Sequence, residues 1–195
     1  MRNEFRKEYK RVLKKPESIN FFNKFKDNIE VLHKERTVVS LYFDNIDFEL
    51  YKSSTLKDVN TQKLRIRNYE GEDDFFKEVK KNTYSGKYKT VSKLNINSFD
   101  EILQITLDGQ TLYPSLYTKY KRNYYTFENC RLTLDTDIKF ISHKFRSQSQ
   151  KNYHFPNEVL EFKLLNGNLD IEKYIDTNPV AFSKYNYAVE KLYRL

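Results

Sequence analysis

The feature that most constrains the fold of this chain is a period-two alternation of apolar and polar residues, repeated in many short runs. Side chains alternate between the two faces of a β-strand, so such runs are typical of strands with one apolar and one polar face. The runs are 4–13, 37–43, 62–69, 74–81, 86–93, 112–127, 130–141 and 158–165. The sequence therefore predicts a mainly antiparallel β protein (α+β) of about eight strands, arranged as a barrel or a sandwich.

Helical periodicity is confined to three shorter segments, which are 16–28, 98–107 and 179–192. Pro16 suits the first turn of the first segment. Ser98 followed by Glu101 predicts a capping box at the start of the second. The polar stretch 142–157 reads as a surface loop. We therefore expect a few helices flanking the sheet.

The composition limits the class of protein. A mean hydropathy of −0.82 favours disorder, but 16 Tyr and 15 Phe supply the apolar surface of a core. The 195 residues suit one domain spanning 1–195. Because no long apolar run or signal-like segment is present, we expect a cytoplasmic protein. Cys130 is the only cysteine, which excludes an internal disulfide and a cysteine-built zinc site.

The charge balance points to an anionic partner. Lys and Arg number 35 against 27 Asp and Glu, which gives a net charge of +8 and a pI near 9.3. Such a chain favours nucleic acid, a membrane surface or phosphate compounds. Net charge does not choose among them, and a merely solvated basic surface stays open as an alternative.

The position of the charges along the strands is more informative. Lys63, Arg65 and Arg67 share one face of a strand, and Glu161 and Lys163 share a face of another. On one strand this pattern usually marks a water-facing surface, but its repetition on six strands favours a charged barrel interior. Two like charges about 6 Å apart repel by roughly 2–3 kcal/mol at an effective dielectric near 20. Such an interior calls for an anion, and a polyphosphate chain would fit.

An ordered set of short motifs carries a resemblance to a known family. The motifs, in chain order, are 6–10 (RKEYK), 40–44 (SLYFD), 63–69 (KLRIRNY), 78–80 (EVK), 86–89 (GKYK), 120–122 (YKR), 131–136 (RLTLDT), 159–163 (VLEFK) and 183–185 (SKY). Together they resemble the triphosphate tunnel metalloenzymes (CYTH-like superfamily), and within them the VTC (vacuolar transporter chaperone) polyphosphate polymerase domain. The resemblance runs over nearly the whole chain, from about residue 5 to residue 192.

The resemblance implies a short antiparallel triphosphate-tunnel β-barrel whose open ends admit a phosphate chain. It also implies transfer of the terminal phosphoryl group of ATP to a growing inorganic polyphosphate, with Mn²⁺ or Mg²⁺ as cofactor. ATP and polyphosphate are then the partners, no specific nucleic acid is expected, and a separate membrane partner and the oligomeric state stay open.

Phosphoryl transfer needs charge stabilisation and in-line positioning more than covalent chemistry. Guanidinium groups bind oxyanions in a bidentate fork, and lysines add point charges. The residues expected to be catalytic are Arg65, Arg67, Lys80, Arg122, Arg131 and Lys184. The residues expected to bind substrate are Lys10, Lys89, Tyr120 and Lys163.

The predicted metal ligands are acidic residues of the charged strand faces. Glu161 lies on a cation-rich face, where holding a hard cation would explain a carboxylate. Glu8 and Glu78 are second candidates, either as ligands or as structural partners of Lys10 and Lys80. Pairing of Glu161 with Lys163 or a cross-strand arginine stays open. Asp135, late on its strand, is interpreted as structural.

Two other functions stay open at this point. One is a tunnel-fold hydrolase acting on inorganic triphosphate or an RNA 5′-triphosphate, and the other is a non-enzymatic polyanion-binding module. The metal-dependent RNA triphosphatases resemble tunnels with Glu-x-Glu on an early and a late strand. This chain has Glu8-x-Lys10 and Glu161-x-Lys163 instead, which favours holding a long anion.

Overall fold

The computed structural model describes residues 8–56, 60–84, 86–128, 130–164, 170–177 and 180–195. The strands in these ranges are β1 (Glu8–Leu13), β2 (Ile29–Asp44), β3 (Thr61–Tyr69), β4 (Phe75–Thr83), β5 (Gly86–Leu94), β6 (Ile105–Leu107), β7 (Gln110–Phe127), β8 (Cys130–Ser142), β9 (Asn152–His154) and β10 (Glu158–Leu164). The α-helices are α1 (Lys15–Lys24), α2 (Glu49–Thr55) and α3 (Lys184–Tyr193).

Eight of the strands form one antiparallel path in the order β1-β10-β8-β7-β2-β3-β4-β5. The sheet curls strongly into a half-barrel, while β6 pairs only with β7 and β9 only with β8. The predicted mainly antiparallel tunnel fold with a few helices is thus confirmed. Among the described strands no pairing joins β1 to β5, so the cylinder stays open along that line.

The period-two runs correspond to the eight strands of this path. Residues 4–7 of the first run lie outside the described residues. β2 begins at Ile29 rather than at residue 37, and its first part pairs only with β7. This part escaped the pattern because Val31 and Leu32 are adjacent and both exposed, so it has no apolar face.

Two of the predicted helices are present. α1 and a 3₁₀ turn at Lys26–Asn28 occupy the segment 16–28, and α3 occupies the later part of 179–192. Residues 178 and 179 lie outside the described part of the chain. Helix α2 was not predicted, because its seven residues are too short for a periodic signal.

The predicted helix at 98–107 is wrong. Its capping box is present, with Ser98 and Glu101 in the expected roles, but the helix is a single 3₁₀ turn, Phe99–Glu101. Residues Ile105–Leu107 form β6 instead and pair with β7 as a hairpin. Tertiary pairing therefore overrides a correct local start signal. The loop predicted at 142–157 also contains the short strand β9.

Apolar side chains pack on both sides of the curled sheet. On the outer side Phe21 of α1 packs against Phe127 and Phe162, and each fully buried ring contributes roughly 1.5–3 kcal/mol. On the inner side α3 buries Tyr185 and Val189 among inner-face residues of the strands. Helix α3 thus occupies part of the concavity, and the rest is lined by charged residues.

Candidate functional site

Cross-strand register places every predicted site residue on one face of the sheet or beside it. Directly paired residues share a face, and the pairs include Lys10 with Glu161, Arg131 with Lys163 and Lys80 with Lys89. The predicted residues gathered on this inner face are Glu8, Lys10, Arg65, Arg67, Lys80, Lys89, Tyr120, Arg122, Arg131, Glu161 and Lys163. Lys184 reaches the same face from the start of α3.

The sheet curls toward this face, and charges from distant strands act on the same amine there. Burial and the charge of Arg65 together lower the pKa of Lys80 on β4 to about 7. Glu8 and Glu161, at the far end of the path, act on the same amine in the opposite direction. The inner face is therefore a groove with cationic walls, named here the cationic groove.

Arg122 and Asp135 form a bidentate ion pair in the groove. Arg122 Nε donates to Asp135 Oδ1 over 2.5 Å, and Nη2 donates to Oδ2 over 2.7 Å. Lys184 Nζ donates to the same Oδ2 over 2.5 Å. Burial alone would raise the pKa of Asp135, but Arg122 and Lys184 outweigh it and hold the pKa at about 2. Asp135 therefore stays ionised and orients both cations.

Glu78 plays a similar part on the opposite wall. It accepts from Arg65 Nε over 2.7 Å and Nη2 over 2.5 Å, and from Lys89 Nζ over 2.7 Å. Arg67 Nη1 lies 3.6 Å from Glu78 Oε1, the oxygen that accepts from Lys89. Burial opposes ionisation, but Arg65, Arg67 and Lys89 keep the pKa of Glu78 well below its usual range. Arg65 Nη1 also donates to the hydroxyl of Tyr42.

Four groove cations make no hydrogen bond to a carboxylate of the described residues and no ion pair with one within 4 Å, although Glu161 and Glu8 act on Lys10 and Lys80 from farther away. Lys10 donates to the carbonyl of Phe182 and Lys63 to the hydroxyl of Ser183, both neutral acceptors. Lys80 Nζ has no hydrogen bond or ion pair within the described chain. Arg131 Nε is buried with no hydrogen-bond partner, and its guanidinium lies 5.3 Å from the ring centroid of Tyr124. These four, Lys10, Lys63, Lys80 and Arg131, are named the uncompensated cations.

Three lysines lie directly opposite one another on adjacent strands. Lys63 pairs with Lys80, and Lys80 pairs with Lys89. Like charges in this arrangement destabilise a sheet. Burial, together with the charges of Lys10 and Arg65, lowers the pKa of Lys63 to about 8. Part of this repulsion is thus relieved in the free protein by the release of protons.

Glu161 is an ionised carboxylate without a hydrogen bond from the described part of the chain. Its Oε2 lies 3.7 Å from Lys163 Nζ and 3.9 Å from Arg122 Nη2, and its side chain makes no hydrogen bond with the described residues. Burial opposes its charge, but Lys163, Lys10 and Arg122 keep its pKa well below the usual range. Glu8, the second predicted ligand, lies 3.6 Å from Lys163.

These donors suit a metal shared with substrate. Within the described residues no three His, Cys, Asp or Glu side chains form a metal cluster. Mg²⁺-type ions are usually bound by one or two carboxylates together with substrate phosphates and water. Glu161, with Glu8 nearby, fits that donor set. Glu161 also lies within 4 Å of Lys163 and of the cross-strand Arg122. The charge pairing that the sequence left open as an alternative to metal binding is therefore present as well.

Two groove residues were not assigned to the site from the sequence. Lys63 was recognised as a cation of its strand, but Ser183, its partner, is distant in the chain. Asp135 was interpreted as structural, and its partners Arg122 and Lys184 likewise depend on strand register and on helix α3. The sequence signal that could have assigned Lys63 to the site is its spacing of two residues from Arg65, which places both side chains on the same face of β3.

The curled antiparallel sheet and its cationic groove define a protein of the triphosphate tunnel superfamily. The model of the VTC domain matches residues 3–104 and 85–193, nearly the whole chain, so the chain belongs to the VTC domain family. No curated protein matches it.

Solved structures give the same fold at low identity. A candidate adenylate cyclase from Bacillus halodurans is 16% identical, with a TM-score of 0.62 and coverage of 97% of this chain and 98% of that chain. The PH1819 protein from Pyrococcus horikoshii OT3 is 15% identical, with a TM-score of 0.61 and coverage of 96% and 99%. At such identities the likeness shows the fold alone.

No helix in the described part of the chain is both long enough and apolar enough to cross a bilayer.

Proposed function

We propose that this protein is a polyphosphate polymerase, which transfers the terminal phosphoryl group of ATP to a growing inorganic polyphosphate chain. The observation that carries the proposal is the set of four uncompensated cations in the groove. Buried like charges are costly without a counter-ion, and a chain of phosphates would supply negative charge at regular intervals. Membership of the VTC domain family supports the same reading.

The groove residues divide into two roles. Arg65 and Arg122 are each held by a carboxylate, so their guanidinium groups have fixed orientations and retain further N–H donors. Pre-oriented donors stabilise developing charge without reorganising during the reaction. The uncompensated cations have no paired carboxylate for a phosphate to displace. Nearby phosphates would favour the charged forms of Lys63 and Lys80, whose pKa values are lowered in the free protein. Together the two groups would align the γ-phosphate of ATP with the end of the acceptor chain.

Glu161, assisted by Glu8, would hold Mn²⁺ or Mg²⁺, because ions of this type are bound by one or two carboxylates together with substrate phosphates. A bound divalent ion would neutralise phosphate charge and polarise the transferring group. Lys163 and Arg122, already near Glu161, would contact the same phosphates from the protein side.

The test is an incubation of the purified protein with ATP and Mn²⁺, followed by gel analysis of polyphosphate and measurement of ADP. We expect long polyphosphate, with one ADP released for each phosphate that is added to the chain. The variant Lys80→Met should lose most of the product, because it removes an uncompensated cation. The matched control Lys119→Met, an exposed lysine paired with Glu70, should keep it.

Two results would overturn the proposal. Release of inorganic phosphate without polymer would indicate a hydrolase of triphosphate substrates. Absence of any turnover, together with salt-sensitive binding of RNA or anionic vesicles, would indicate a binding module.

A further inference from the structure

A buried carboxyl group outside the groove ties three elements together. Asp44, the last residue of β2, is fully buried. Its oxygens accept hydrogen bonds from the backbone N–H groups of Asn45, Leu50 and Tyr51 at 2.8–3.0 Å. They also accept one from the hydroxyl of Tyr185 at 2.5 Å. Asp44 therefore connects the end of β2, helix α2 and helix α3.

Tyr185 is the element of this cluster that reaches toward the groove. It is buried in the second position of α3, and its ring stacks on Tyr42 with a centroid distance of 5.0 Å and an interplanar angle of 19°. The hydroxyl of Tyr42 in turn accepts from Arg65 Nη1 at 2.8 Å. The contact chain thus runs from Asp44 through two tyrosines to a groove arginine.

The same turn of α3 carries groove contacts. Lys184, the neighbour of Tyr185, donates to Asp135 over 2.5 Å. Ser183 caps the helix by accepting from the backbone N–H of Asn186, and it also accepts from Lys63 Nζ over 2.9 Å. Successive helical side chains point about 100° apart, so the direction of Lys184 depends on how the helix is rotated about its axis.

We propose that Asp44 and Tyr185 are positioning residues, which fix the rotation of α3 and thereby hold Lys184 in the cationic groove. The Tyr185 hydroxyl anchors the helix to Asp44, and Lys184 then reaches Asp135 in the groove. The inference rests on the proposed function only in requiring that the groove bind polyphosphate. It adds two residues that touch neither substrate nor metal.

The test is a double-mutant cycle of Tyr185→Phe and Lys184→Met, read as affinity for tripolyphosphate by calorimetry. Tyr185→Phe removes only the hydroxyl and keeps the stacked ring. We expect it to weaken binding by about threefold to tenfold, the equivalent of one hydrogen bond. In the Lys184→Met background the same change should have almost no effect, because the group it positions is gone.

Tyr193→Phe is the matched control on the same helix. Its hydroxyl donates to the carbonyl of Ser115 near the far end of α3, so it removes a comparable hydrogen bond without touching the first turn. It should leave affinity within twofold in both backgrounds. A merely structural role of Tyr185 would give equal losses in the presence and absence of Lys184, and that result would overturn the inference.

The outcomes separate this inference from the proposed function. Protein that binds tripolyphosphate with the expected cycle but makes no polymer from ATP would overturn the polymerase proposal and leave the positioning role standing. Wild-type protein that does not bind tripolyphosphate would overturn both.

Discussion

The guanidinium of Arg122 covers the carboxylate of Asp135 with two hydrogen bonds, and Asp135 is only 1% exposed. Arg122 therefore stabilises the folded protein in addition to lining the groove. Glu78 and Arg65 repeat it on the other wall. Arginines held in this way and cations without a partner should respond differently to mutation.

Arg122→Ala should destabilise the protein. Removing one member of a buried pair leaves a charge poorly compensated, which costs about 3 kcal/mol. Lys184 remains as a partner of Asp135, so the variant should still fold. Urea denaturation at pH 7 and at pH 3 measures the effect. The loss should be full at pH 7 and should shrink at lower pH, because Asp135 of the variant takes up a proton at a higher pH than the wild-type carboxyl, whose pKa is about 2. Unchanged stability at pH 7 would contradict the role of this pair.

Arg131→Met should weaken ligand binding without destabilising the protein. Arg131 has no ion pair with the described residues, and its Nε is buried without a hydrogen bond. We expect an unfolding free energy equal to or above that of the wild type, together with weaker tripolyphosphate binding. Denaturation and calorimetry on one preparation measure both quantities. A fall in stability as large as that of Arg122→Ala would show that Arg131 has a structural role.

The stability of the free protein should rise between pH 7 and pH 9. The folded pKa is about 7 for Lys80 and about 8 for Lys63, both below the ordinary value of 10.5. The unfolded chain therefore holds more protons in this range, so the cost of burying the two charges is full below pH 7 and falls as the pH rises. The slope from Lys80 should approach about 1.4 kcal/mol per pH unit, the value for one proton. Denaturant titrations measure it, and Lys80→Met should flatten it.

Polyphosphate binding at pH 8 should raise the proton occupancy of Lys80. Phosphates next to the amine favour its charged form, so the amine takes up a proton on binding. Calorimetry in two buffers of different ionisation enthalpy gives the number of protons, with long-chain polyphosphate as the ligand. Wild-type protein should take up more protons than Lys80→Met, whereas Lys119→Met should match the wild type. Equal uptake in all three would argue against a neutral Lys80 in the free protein.

Glu161→Gln should weaken Mn²⁺ binding in the presence of tripolyphosphate by at least tenfold, because an amide lacks the charge that a hard cation prefers. The affinity for tripolyphosphate without Mn²⁺ should be equal to or higher than that of the wild type, because the substitution removes one negative charge from the groove. Electron paramagnetic resonance of free Mn²⁺ measures the first effect and calorimetry the second. Glu70→Gln, on an exposed acid paired with Lys119, is the control. Unchanged Mn²⁺ affinity in Glu161→Gln would exclude this ligand.

The faces of the strands could be predicted from the sequence because the side-chain period of a strand is two. Arg65 and Arg67, or Glu161 and Lys163, share a face whatever the rest of the chain does. The eight strands of the main path followed from the same rule. The motif order also indicated the family, which the VTC domain match confirmed.

Pairings between distant residues were decided only by the tertiary structure. Asp135 contacts Lys184 across 49 positions of the chain, and Lys63 contacts Ser183 across 120. No local pattern carries the register or the helix packing that creates these contacts. The segment 98–107 shows the same limit, since its capping signal was correct but pairing with β7 determined how it continues. The sequence by itself thus determined which side chains share a face. The curl of the sheet and the packing of α3 decided which charges meet, because electrostatic pairing depends on distance in space.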